Sequence, residues 1–134
     1  MTLNILMKTT GVFLLLLAAA HAIFPRLFHW KEDLSQLSLL NRQIFFVHTF
    51  FIVVVLVEFG ALNLFFTQSL LEPVPLSRAI LAGMASFWFL RLIVQLFVYD
   101  PNLWRGSHFR TAAHVMFTAF WSFLTVVYIS ALVL

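Results

Sequence analysis

The 134 residues include no cysteine. Disulfides, thiolate metal centres, iron–sulfur ligation by this chain, thioether-attached haem and a redox-active dithiol are therefore excluded. Charge is scarce as well: Asp, Glu, Lys and Arg make up 10% of the chain, against about 25% in a soluble domain. Only four glycines and four prolines occur. They build no phosphate-cradling Gly-rich loop and no serine-nucleophile elbow, and no zinc-protease His-Glu-x-x-His helix is present. The sequence shows no internal repeat, no low-complexity segment and no coiled-coil heptad of apolar residues.

What remains is apolar. Hydrophobic residues are 63% of the chain and the mean hydropathy is +1.01, so the solvent for most of this surface is lipid. The length allows one transmembrane domain covering residues 1–134. A net charge of +3 and a pI near 10 would suit nucleic acid if the charges were clustered. They are few and scattered between apolar runs, which assigns them to lipid headgroups and topology and leaves no nucleic-acid partner.

A membrane helix needs about 20 apolar residues at about 1.5 Å each. Four stretches qualify, at about residues 3–24, 41–66, 76–99 and 109–133. The first ends at Pro25, and Ser38 is a candidate N-cap ahead of the second. The third stops before Asp100-Pro101, because a residue preceding proline avoids helical geometry. The expected fold is all-α, a polytopic four-helix transmembrane bundle. Between the first two spans, Leu27, Trp30, Leu34 and Leu37 recur at steps of three and four, which predicts a short interfacial amphipathic helix with Phe28 and Trp30 as headgroup anchors. The first span also imitates a signal peptide, with Lys8, the run Val12–Leu17 and the small residues from Ala18 to Ala22. Cleavage there would force translocation of Arg26, Lys31 and Arg42, which argues for a retained helix.

The basic residues predict orientation. Arg26, Lys31, Arg42, Arg105 and Arg110 lie on one face, and Lys8 and Arg78 on the other. Five against two puts the long loops in the cytoplasm and both termini outside a cell (inner) membrane.

Polar residues mark the inward faces, because a helix that is apolar all round cannot do so. In the fourth span Ser107, Thr111, His114, Thr118, Trp121, Thr125 and Tyr128 form one stripe, expected to hydrogen-bond across helices. The third gives Met84, Trp88, Arg91, Gln95 and Tyr99. His48 lies on one face of the second with Asn41 and Val55, and His21 ends a face of the first with Thr10, Leu14 and Leu17.

These phases place His21, His48 and His114 at about one depth, roughly 6–7 Å in from the loop-rich face, with Gln95 beside them and Arg91 one turn lower. Imidazole titrates near neutrality and ligates metals, and ionisable groups inside a membrane are costly enough to point to function. The cofactor-binding candidates are therefore His21, His48, His114, Arg91 and Gln95. Two imidazoles from facing helices can ligate a b-type haem, and three can hold a transition metal. Arg91 would meet an anionic group such as a propionate, a carboxylate or a quinone oxygen. Glu58, the one carboxylate inside the spans, is a candidate buried proton group and the expected ion-pair partner of Arg91. In the loop, Asp100, Arg105 and His108 would form the mouth of the site. No local ligand motif accompanies the histidines, so polar helix-packing glue is the competing reading. The corresponding whole-protein alternatives are an accessory or assembly subunit docked to other membrane subunits, and a proton or small-solute carrier. The cluster Phe24-Pro25-Arg26, Leu40-Asn41-Arg42-Gln43 and His48 has the look of a motif, with no activity attached to it.

Overall fold

A computed structural model describes residues 2–134. The described residues are all-α: α1 Thr2–Ala20, α2 Phe24–Leu27, α3 Trp30–Asp33, α4 Leu39–Phe65, α5 Thr67–Leu71, α6 Pro75–Phe97 and α7 His108–Val133, without a strand. Four of them (α1, α4, α6 and α7) are long and apolar enough to cross a membrane. The chain forms two compact units, Met7–Thr67 and a second that joins the residues through Leu6 to Gln68–Leu134.

Local chemistry sets the helix starts. Ser38 Oγ accepts from the Asn41 N–H at 3.3 Å, as expected of an N-cap. Pro75 occupies the first turn of α6, where its missing N–H would be unpaired anyway. Ser107 Oγ caps α7 through the Arg110 N–H at 3.4 Å. The first helix stops at Ala20, about one turn earlier than its apolar run, and residues 21–23 form a turn into α2. His21 therefore lies just beyond the helix end instead of one turn inside it. The interfacial segment is helical but interrupted. His29 takes a left-handed φ of 54° between α2 and α3, and a 3-10 turn, Leu34–Gln36, follows.

In the unit Met7–Thr67, α1 and α4 come close together at two glycines. A Cβ on Gly11 would lie 2.9 Å from the Gly60 carbonyl oxygen, and a Cβ on Gly60 would lie 2.8 Å from Leu15. In lipid, where apolar surface alone gives no drive to associate, small residues that let backbones come together are how helices gain packing. Trp30 docks the interfacial segment edge-on against Phe45 at 4.8 Å. The buried residues of α4, Leu56, Gly60 and Asn63, all lie in its C-terminal half.

In the second unit α6 packs along α7 as an antiparallel pair. Trp88 stacks on Trp121, rings 5.2 Å apart and 11° from parallel. Seven residues further along α6 and seven back along α7, Gln95 meets His114. The same register sets Leu81 opposite Tyr128, Met84 opposite Thr125 and Arg91 opposite Thr118. The two polar stripes legible in the sequence are thus the two sides of one seam. Its buried part lies toward the α5 end, with Leu81, Met84, Leu124 and Tyr128. A hydrogen bond from Ser77 Oγ to the Ser69 carbonyl, 2.7 Å, ties α6 to α5.

An arginine–glutamine–histidine relay framed by aromatic rings

Three polar side chains join in a line at the loop end of the α6/α7 seam. Arg91 Nη1 donates to Gln95 Oε1 at 3.3 Å, and Gln95 Nε2 lies 2.8 Å from His114 Nδ1. The roles along this line are fixed by chemistry. A guanidinium only donates, so the Gln95 atom facing Arg91 is the carbonyl oxygen and the amide nitrogen faces His114. That amide also only donates, so His114 Nδ1 accepts and the ring proton sits on Nε2. Gln95, nearly fully buried, is the connector, and Arg91 and His114 are half-buried on either side.

Aromatic rings frame both ends of the relay. The Arg91 guanidinium carbon lies 4.9 Å from the Trp121 ring centre and 5.6 Å from that of Tyr99. Such cation–π contacts contribute about 0.5–2 kcal/mol each, more where water is absent. At the other end Trp104 lies flat on His114, with centroids 3.8 Å apart and planes 12° apart. The loop is built to hold that indole. Asp100 caps a 3-10 turn by accepting from the Asn102 N–H at 2.8 Å. Thr111 Oγ1 donates to the Trp104 carbonyl at 2.9 Å. Gly106 turns the chain with φ of 80°, a conformation that disfavours any side chain.

The seam beside Arg91 holds buried donors without an acceptor. The indole N–H groups of Trp88 and Trp121, residues only 2% and 5% exposed, find no acceptor among the described residues. A buried unpaired N–H costs about 1–3 kcal/mol. Arg91 uses a single Gln95 oxygen, and His114 Nε2–H adds another donor. The arrangement fits a group that brings acceptors, such as a carboxylate, a phosphate or a carbonyl.

Several expectations are corrected. Within its own unit the polar partner of Arg91 is Gln95, and the one ion pair among the described residues joins His29 to Glu32 at 3.3 Å. The threonines of α7 do not reach across helices. Thr118 and Thr125 donate to the carbonyls of His114 and Trp121 one turn back, at 2.8 and 2.7 Å. Hydroxyls one turn from a carbonyl satisfy themselves this way without a partner helix. Asp100, Arg105 and His108 are exposed, and the loop residue that reaches the relay is Trp104.

The other two histidines belong to the unit Met7–Thr67. His21 Nδ1 lies 2.8 Å from the Leu17 carbonyl and His48 Nδ1 lies 2.9 Å from that of Ile44. A carbonyl only accepts, so both carry the proton on Nδ1 and present Nε2 as a free lone pair. The register of Gly11 with Gly60 carries His21 opposite about residue 50, within roughly 3 Å of the level of His48. Among the described residues no group of three His, Asp or Glu is placed to hold a metal ion.

Comparison with protein-family models, with curated proteins and with solved structures returns no match for this chain.

Proposed function

We propose that this multi-pass membrane protein binds a lipid-soluble ligand through an acceptor group, a carboxylate or a quinone-type carbonyl, held at Arg91 and connected through Gln95 to His114. The observation that carries the reading is the surplus of donors around Arg91 in a seam without a carboxylate. An uncompensated cation inside a bilayer costs about 2.5–3.5 kcal/mol or more. Cation–π contacts with Trp121 and Tyr99 offset part of that cost, and an incoming acceptor would offset the rest. His114, with its proton on Nε2 and its Nδ1 held by Gln95, would carry protons between the loop side and the ligand, while Trp104 covers the ring. The excess of basic residues in the loops supports a cytoplasmic position for this end. Native mass spectrometry of protein released from detergent tests the reading. A small acidic or quinone ligand retained by the wild type and absent from an equally helical Arg91→Leu variant supports it, whereas equal retention by both refutes it.

A second reading is favoured by His21 and His48. A ring N–H donated to a backbone carbonyl is the usual support of a metal- or haem-ligating imidazole, because it fixes the ring and leaves Nε2 for the metal. In this reading a b-type haem or a transition ion sits on those Nε2 atoms. A Soret band lost in His48→Ala supports it, and colourless, metal-free wild-type protein excludes it.

A further inference from the structure

We infer that the second unit holds, at its end away from the relay, a phospholipid headgroup carrying both a phosphate and a primary amine, that is, an ethanolamine phospholipid. A cavity of about 230 Å³ opens there, and all its walls belong to that one unit. Its floor is apolar and buried, with Leu70 of α5, Leu81 of α6 and Ala131 of α7, and Leu3 of α1 adds a side. Two charged residues complete the lining. Glu72, in the turn between α5 and α6, is exposed, and Arg78, one turn into α6, is half-buried.

These two charges are held apart. The one ion pair among the described residues is His29 with Glu32, so Arg78 and Glu72 do not bridge each other, and neither side chain makes a hydrogen bond within the unit. The backbone fixes the gap. Between Pro73 and Pro75 the Val74 N–H donates to the Glu72 carbonyl at 2.8 Å, and Ser77 Oγ fastens α6 to α5 through the Ser69 carbonyl.

Size and charge select the occupant. The volume equals that of roughly seven or eight waters, below the about 300–1,000 Å³ of a drug-sized site, so it suits a headgroup. A guanidinium clamps a phosphate through paired N–H donors, and a carboxylate accepts from a primary ammonium. A zwitterion with both groups satisfies both side chains and adds no net charge. A lone phosphate leaves Glu72 unpaired beside a like charge, and a choline headgroup has no N–H to give it. Lipid is the source because the starts of α1 and α6 and the end of α7 line the cavity, and the ends of spanning helices lie among headgroups. Arg78 is about 20 Å along α6 from Arg91, so this site is separate from the relay and does not depend on it.

Native mass spectrometry tests the inference, with protein released from nanodiscs that hold equal parts of ethanolamine, choline and glycerol phospholipids. The wild type is expected to retain the ethanolamine lipid about fivefold over the other two, the weight of an exposed ion pair. Glu72→Gln loses the preference for ethanolamine over glycerol headgroups while staying as helical as the wild type. Arg78→Gln lowers retention of the ethanolamine lipid about tenfold, the weight of a charge-assisted contact to phosphate. Equal retention of the three lipids by the wild type overturns the inference, and so does an unchanged preference in Glu72→Gln. Free phosphoethanolamine is the soluble arm: if it binds the detergent-solubilised protein while the three lipids are retained equally, the cavity serves a soluble zwitterion and the lipid assignment falls.

Discussion

Gln95 is the residue on which the relay depends, because it alone touches both Arg91 and His114. Replacing it with leucine removes the donor to His114 Nδ1 and the acceptor to Arg91 while filling a similar volume. We expect Gln95→Leu to lower stability in a membrane unfolding assay by about 1 kcal/mol, the usual weight of an interhelical hydrogen bond. Nitrogen-15 spectra should then show His114 losing its preference for a proton on Nε2, and wild-type tautomer populations in the variant would contradict the relay. His21 and His48 should keep the proton on Nδ1 in the same spectra, since their partners are backbone carbonyls one turn away. Sequence spacing marked Arg91, Gln95 and His114 but gave no sign of the tautomers, which depend on which atom of Gln95 faces which neighbour. Within its own unit Arg91 is met by Gln95, one turn away on the same helix, and by the rings of Trp121 and Tyr99.

The helices divide into two kinds of contact, and glycine substitutions separate them. A methyl group on Gly11 meets the Gly60 backbone at 2.9 Å, a neighbour that cannot rotate away. Gly11→Ala is expected to cost about 1–3 kcal/mol, as overpacking does. Gly83→Ala on α6 meets open space and should be neutral or stabilising by up to about 1 kcal/mol, because alanine is the better helix former. Equal effects of the two in thermal unfolding would argue against a tight α1/α4 crossing. The four long helices and the cap at Ser38 were legible in the sequence, since apolar runs of spanning length and a capping hydroxyl are local signals, whereas Ser107 was read as part of a stripe and is the cap of α7. The facing of the third and fourth stripes was only half legible. Each stripe could be seen on its own, but their register depends on the Trp88–Trp121 stack. The break at His29 and the placing of Trp104 on His114 were hidden, because both depend on loop backbone geometry that no periodicity records.

At the scale of the whole molecule, orientation is the first thing to check, and the absence of cysteine makes it simple. A single cysteine placed at Ser35 should resist a membrane-impermeant thiol reagent in intact cells, and one placed at Gln68 should react; the reverse pattern would invert the topology drawn from Arg26, Lys31, Arg42, Arg105 and Arg110. The central claim is that Arg91 holds the acceptor group of a membrane-soluble ligand. The direct measurement is a tryptophan-fluorescence titration of the purified protein in nanodiscs with dodecanoate and, separately, with decylubiquinone. The rings of Trp88, Trp104 and Trp121 around the relay serve as reporters. The account predicts a saturable change with at least one of the two probes. It also predicts binding about 10- to 100-fold weaker in Arg91→Leu, the weight of a charge-assisted hydrogen bond, with the fold retained. Absence of saturable binding by the wild type, or equal affinity in Arg91→Leu, would contradict it.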